Sequence, residues 1–253
     1  MGLDSVRPVS TRARILEVAV GLVAQSPDGD VSTRAVCEAA QVGAPALYRH
    51  FGDKEGLLAA VVDHGFGAYL ATKRQRGPTA DPIEDLRNGW DSHTDFALRN
   101  RNLYRLMNSP AMRTPPDSAL ESHRILERDL GRAAAQGKLR LAPELAAQMV
   151  MSANVGVALM LVSRPATFTD HSISRRVRDA LHTAIFTPEV IAGLSDTASR
   201  GPADTTDEVP VPATAARLRA LLHQSPDTAL SPAEAALLAQ WLDKLANGPQ
   251  RDR

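Results

Sequence analysis

The sequence predicts an all-α protein with three parts: a three-helix helix-turn-helix domain at the N-terminal end, a larger helical domain, and an extra pair of helices at the C-terminal end. Two observations carry the prediction. Apolar residues make up 43% of the chain and are mostly Ala and Leu, while aromatics are only 4% and period-two runs of Val, Ile or Tyr are hard to find. The apolar residues instead recur at helical spacing, in runs whose ends are punctuated by proline.

The first run covers residues 10–26, with Ile15, Val18, Ala19, Leu22 and Val23 on one face behind a Ser10/Thr11 cap. A Ser-Pro-Asp-Gly-Asp turn follows at 26–30. Ser32 is placed to cap a short helix over 33–40, whose apolar face is Val36, Cys37 and Ala40. Gln41-Val42-Gly43 forms a tight turn into a third short helix, 44–50, with Pro45 in its first turn, where a missing N–H costs little. A longer helix starts near Asp53 and runs to about Arg74. Beyond it the pattern predicts helices at 82–100, 101–109, 116–137, 142–163 and 171–186, with Gly137 as a C-cap. Residues 195–213 are rich in Ser, Thr, Asp and Pro and read as a linker. Helices at 213–224 and 232–246 follow, the second opening on the capping box Ser231-Pro232-Ala233-Glu234. The expected domains are therefore 1–54, continuing into a connecting helix 54–74; 75–195; a linker 196–212; and 213–253.

Composition narrows the function. Lys plus Arg and Asp plus Glu both total 29, so the net charge is zero, and residues 1–54 are balanced as well. Any nucleic-acid binding must come from local geometry rather than bulk charge. The single cysteine, Cys37, permits no disulfide within the chain and suits a cytoplasmic location; on the apolar face of its helix it reads as a small core residue. The N-terminal stretch has no apolar core of a secretory signal. Residues 145–163 carry no charge over a span long enough to cross a bilayer, but Gln148, Ser152, Asn154 and Ser163 favour a helix buried in a bundle. No membrane association, metal or cofactor is expected. The Gly131…Gly137-Lys138 stretch has five residues where a phosphate loop has four, and Leu139 replaces its hydroxyl. No metalloprotease, nucleophile-elbow or paired-cysteine motif is present, so no catalytic residues are assigned.

The informative stretch is 31–58, VSTRAVCEAAQVGAPALYRHFGDKEGLL. Two short helices joined by a brief turn present a second helix with a bare leading edge, Ala44, Pro45 and Ala46. Small side chains let a helix approach base edges, and an alanine methyl can meet a thymine methyl. Leu47 and Phe51, four apart, share the buried face. Tyr48, Arg49 and His50 point elsewhere and carry donors suited to phosphate. Lys54 stands at the start of the next helix, where its charge and the helix dipole favour an anion.

This stretch resembles the TetR-type regulators. The matching elements are Leu47-Tyr48-Arg49-His50-Phe51 and Lys54-Glu55-Gly56-Leu57-Leu58, with residues 13–25 similar to the family's first helix. The resemblance is specific over 11–62, and weaker over 133–150. It implies that Ser32 and Thr33 contact the DNA backbone, that Arg34 reaches a base, that Ala44, Pro45 and Ala46 read the major groove, and that Tyr48, His50 and Lys54 clamp phosphates. Arg7, Arg12 and Arg14 add a basic N-terminal arm on charge alone. Gln41 departs from the family, which often has glycine at this turn. The chain also runs about fifty residues beyond a usual member.

The resemblance further implies a regulator, in its commoner form a repressor, that binds a palindromic operator in double-stranded DNA as a homodimer. Its second domain would bind a small-molecule effector of unknown identity and dimerise. Expected pocket residues are Trp90, His93, Phe96, Tyr104, Met107, Met112, His123, Met149 and Asn154, a mixture of Met, aromatic and polar groups suited to a moderately apolar ligand. Helices 142–163 and 171–186 are expected to form the dimer face, with Ala153, Gly156 and Ala158 allowing close approach. Two other readings stay open: a helical protein-interaction module without DNA binding, favoured by the zero net charge, and an enzyme in residues 81–190.

Overall fold

A computed structural model describes residues 10–26, 30–110, 112–198 and 230–247, together with scattered helical positions between 211 and 222. Eleven helices are defined among the described residues: α1 (Thr11–Gln25), α2 (Thr33–Ala40), α3 (Ala44–Phe51), α4 (Lys54–Arg76), α5 (Pro82–Arg99), α6 (Arg101–Met107), α7 (Asp117–Ala135), α8 (Pro143–Ser163), α9 (Ile173–Ile185), α10 (Pro188–Ala198) and α11 (Pro232–Asn247). Among the described residues the only extended pairing is an isolated bridge between Leu139 and Phe186. The chain divides into two compact units, at residues 198 and 199.

Local chemistry explains the boundaries. Ser10, Ser32, Asp53 and Asp81 are N-caps whose side chains accept a backbone N–H from the first turn of α1, α2, α4 and α5. Pro45, Pro82 and Pro143 lie in the first turns of α3, α5 and α8, where a proline costs no hydrogen bond. α2 ends on Gln41 at φ 53 and ψ 48, the left-handed conformation. The N–H of Val42 donates to the Cys37 carbonyl across it, so this helix closes with a glycine-type cap built on glutamine. Gly137 plays that part after α7, at φ 68.

Two apolar clusters hold the first unit. One runs from the head, through Ile15, Val36, Leu47 and Phe51, along α4 to Phe66 and Leu70, and on to Tyr104 and Ala158. The other joins Trp90, Leu130, Ala147, Val150 and Phe186. Because the first cluster is continuous, the division expected between residues 54 and 74 is not a gap in packing. Polar ties reinforce the join. Asn102 Nδ2 donates to the Ala24 carbonyl at 2.8 Å. Glu55 accepts the Thr114 N–H at 2.9 Å and two bonds from Arg113. Asp63 accepts from the Ser118 N–H at 2.9 Å and its hydroxyl at 2.7 Å.

α8 is long and apolar enough, by length and composition, to cross a membrane. Here its inner face, including Ala146, Ala147, Val150, Ala158 and Leu161, is buried against neighbouring helices of the body. Apart from the one expected at 213–224, the expected helices are present with ends shifted by no more than two residues. The exception is α10, where no helix was expected. Pro188 reads as a terminator of the preceding helix, yet it is the first residue of the next. Val190, Ile191 and Leu194 pack α10 on the second cluster, and its last residues occupy positions expected to begin the linker.

In the second unit, Leu242 of α11 is buried while Leu237, Trp241 and Leu245 are exposed. Ser231 and Glu234 form the expected reciprocal cap, with Ser231 N–H donating to Glu234 Oε2 at 2.8 Å. Arg219 pairs with Asp243. Of the expected 213–224 helix, positions 214, 215, 218, 219 and 222 are helical and the others lie outside the described residues, as does most of the expected linker.

Candidate DNA-reading surface and effector cavity

α2 and α3 are short amphipathic helices whose buried sides, Val36, Ala40, Leu47 and Phe51, lock into the head core. That burial forces their other sides outward. Ala44 and Pro45 are exposed and Ala46 half-buried at the start of α3, so its leading edge presents little more than backbone and methyl groups. Tyr48 is 44% exposed and Arg49 is exposed, while His50 is half-buried against the edge of Phe51. Ser32 is exposed and Thr33 half-buried at the N-terminus of α2. Thr33 Oγ1 lies 3.5 Å from the Tyr48 hydroxyl, so hydroxyls from two helices meet on one surface.

The charged groups are engaged but lightly held. Lys54 Nζ pairs with Asp30 at 2.8 Å, and its hydrogen bond holds the Asp30 carboxyl below the usual carboxylate range. Arg34 Nε donates to Glu38 at 2.8 Å from a side chain 88% exposed. Exposed pairs of this kind are worth about 1 kcal/mol or less, so a phosphate can compete for either cation. The end of α4 itself is not open to an anion: Asp53 Oδ1 already accepts the Gly56 N–H at 2.8 Å. Lys54 therefore offers its ammonium rather than a free helix end. Arg12 stacks 5.1 Å from the Phe51 ring centroid, and Arg14 is exposed. Arg7 lies outside the described residues.

In the body, a narrow cavity of about 40 Å³ lies between α4, α5, α7 and α8. Of the nine expected pocket residues, Trp90, His93 and Asn154 line it. Met107 and, again, His93 line a wider groove beside it. The other five point elsewhere. Phe96 stacks among Phe66 and Tyr69 in the core. Tyr104 is fully buried, its hydroxyl 2.9 Å from His93 Nε2. Met112 and Met149 pack against the first and second clusters, and His123 lies beside Glu127, 3.1 Å away. Helical spacing shows which face of an element is apolar, but not whether that face meets a core or a cavity. Ala158, expected on a dimer face, is likewise fully buried inside its own protomer.

The cavity wall is polar at its deep side. Trp90 Nε1 donates to Ser174 Oγ at 2.9 Å, and Asn154 Nδ2 reaches the Trp90 carbonyl and Thr94 Oγ1 at 3.4 and 3.3 Å. Burial, then the charge of Lys73, lowers His93 to about 4, so its ring is neutral at neutral pH. Sequence reasoning missed Tyr69, Lys73, Asp85 and Asp129, which also line the cavity. Asp85 is gripped by Arg132 at 2.7 Å and by the Thr79 N–H at 2.9 Å. Burial alone would raise its carboxyl, but these bonds outweigh it and hold the carboxyl low. Asp129, almost fully buried, takes Arg128 at 3.0 Å.

Residues 15–61 match the family described as bacterial regulatory proteins, tetR family. No protein of curated function matches the chain. Among solved structures, one described as a tetR family transcription regulator from Shewanella sp. PV-4 aligns at TM-score 0.54 and 17% identity, over 70% of this chain and 99% of that one. The regulator FadR from Bacillus subtilis, solved in complex with stearoyl-CoA, aligns at TM-score 0.54 and 19% identity, over 66% and 96%. TylP, a tetR regulator from Streptomyces fradiae, aligns at TM-score 0.50 and 19% identity, over 74% and 92%. At these identities the likeness is one of fold. Residues 15–61 therefore match the tetR family of bacterial regulatory proteins, on a chain whose fold is similar to those solved structures.

Proposed function

We propose that the protein is a cytoplasmic one-component transcriptional repressor, binding a palindromic operator as a homodimer and released by a small-molecule effector. The observation that carries this reading is the exposed, nearly bare leading edge of α3, beside which the Thr33 and Tyr48 hydroxyls meet; Ser32, Arg34, Arg49, His50 and Lys54 are the further donors of the reading. A small-faced helix end enters a major groove, and the surrounding donors hold the strands beside it. The activity is binding rather than catalysis.

Dimerisation is supported by α8. Its outer positions include Leu145, 49% exposed, and half-buried Val157 and Met160. They are apolar but not covered by their own protomer, as a self-complementary face would leave them. A two-fold dimer sets its recognition helices about 34–36 Å apart, one turn of DNA. The effector reading is supported by the cavity and by the continuous core joining it to the head. FadR, a neighbour in fold, is described with stearoyl-CoA. A ligand that prefers a different helix arrangement would alter the spacing of the two heads and release DNA.

Gel shift against the DNA upstream of the protein's own gene tests the proposal. Lys54→Ala and Tyr48→Phe each remove a phosphate contact and are expected to weaken binding roughly 5- to 30-fold, with a shallower salt dependence for Lys54→Ala. The zero net charge, with Lys54 and Arg34 both internally paired, favours the rival reading of an interaction module. Failure to bind any palindrome in that DNA would leave the module reading in its place.

A further inference from the structure

We propose that the cavity between α4, α5, α7 and α8 takes a small carboxylic acid, its anionic group on the Lys73 ammonium and its apolar body against Trp90 and Leu126. The inference rests on the effector reading above and names the class of ligand.

The argument begins with charge. Five charged side chains form one group, of which Lys73, Asp85 and Asp129 line the cavity and Arg128 and Arg132 pair with its aspartates. Both aspartates are already satisfied. Arg132 holds Asp85 at 2.7 Å and Asp129 at 3.5 Å, and Arg128 holds Asp129 at 3.0 Å. Thr79 supplies its N–H to Asp85 as well. Three cations thus face two anions, and the surplus charge is that of Lys73. Among the described residues Lys73 forms no ion pair within 4.0 Å, although it lines the cavity and lies half-buried. A cation withdrawn from water without a partner is costly, and a ligand carboxylate would restore the balance. Burial lowers the Lys73 ammonium, with Asp129 and then Asp85 opposing and Arg128 adding to the shift.

Geometry aims the group. A Cβ placed on Gly89 of α5 would lie 3.2 Å from Lys73 Nζ, so the lysine head rests on the one residue of that turn with no side chain. Asp85, Asp129, Ser122 and Asn154 make one part of the lining polar, and Tyr69, Leu86, Trp90, Leu126, Val150 and Met151 make the rest apolar or aromatic. The Tyr69 hydroxyl is engaged with Ser92 at 3.0 Å and the Trp90 N–H with Ser174, so neither competes for the anion. His93 is neutral and bonded to Tyr104. One cation without an ion-pair partner, beside two carboxylates already held by arginines and an apolar wall, is the chemistry that selects a monoanion with a hydrocarbon or aryl body.

The test is a panel of alkyl and arylalkyl carboxylates of about four to ten carbons, each paired with its neutral primary amide of nearly equal shape. It is read by thermal shift, by titration calorimetry and by release of operator DNA from the full chain. A fitting acid is expected to raise Tm by about 5 °C at saturation, and its amide to bind roughly tenfold more weakly or worse. Lys73→Met should abolish that difference and Lys73→Arg should keep it. Gly89→Ala, which only displaces a flexible lysine end, should weaken the acid without weakening the amide. Acids and amides binding alike, Lys73→Met leaving the preference intact, or no acid in the panel shifting Tm would each overturn the inference. Equal binding that still released DNA would leave the effector reading standing. Acids bound through Lys73 without DNA release would instead sustain the inference and defeat the effector reading.

Discussion

Gln41 shows how far single residues could be read in advance. Its position after a short amphipathic helix, where related regulators often carry glycine, marks a turn that needs a left-handed residue, and φ is 53. A side chain there is strained, so Gln41→Gly is expected to stabilise the protein by roughly 0.5–1 kcal/mol, net of the entropy glycine adds to the unfolded chain. In thermal melting this amounts to about 2–4 °C. The caps Ser10 and Ser32 were legible for the same reason: the signal lies within three or four residues of its effect. Lys73 was not legible. A basic residue in the last turn of a helix ordinarily reads as solvated, and only the approach of α5 and α7 makes this one a cavity residue. The grip of Arg132 on Asp85, 47 residues away, is equally invisible to local pattern.

At the scale of elements, α3 is specified by two demands on one short sequence. Leu47 must be wholly buried and the preceding turn must be bare. Leu47→Ala would leave a cavity beneath the reading helix and is expected to cost about 2–4 kcal/mol in denaturant unfolding. DNA binding would weaken although no proposed contact residue had changed. Periodicity located the helices, and proline located their breaks, but the role of each proline was ambiguous. Pro188 could end one helix or begin another. Packing of Val190, Ile191 and Leu194 on the second cluster decided for α10. The cavity divided likewise: Trp90, His93 and Asn154 were readable as pocket residues, while Phe96 and Tyr104, with the same chemistry, turned out to fill core.

For the whole molecule, two buried histidines set a pH limit. His93 is lowered to about 4 by burial and by Lys73, and His182 to about 4 by burial and then by Arg87 and Arg178, with Asp179 opposing. His182 Nδ1 also has no hydrogen-bond partner among the described residues. Both rings are neutral when folded and protonate near pH 6.5 when unfolded. The unfolded chain therefore binds more protons below that pH. Stability is full above about pH 6.5 and falls as pH drops toward 4, by roughly 2 kcal/mol per histidine at pH 5. Urea denaturation at pH 7.5 and pH 5.0 checks this, and the paired change His93→Gln with His182→Leu should flatten the difference.

The ties between the start of α4 and the segment before α7 bear on how such regulators can be recombined. Glu55 and Asp63 are fastened to Arg113, Thr114 and Ser118, and Asn102 to Ala24. A hybrid that borrowed residues 1–74 from another protein would keep every group proposed to touch DNA yet arrive with foreign anchors. Transplanting the head as a working part means carrying residues 102 and 113–118 along with it.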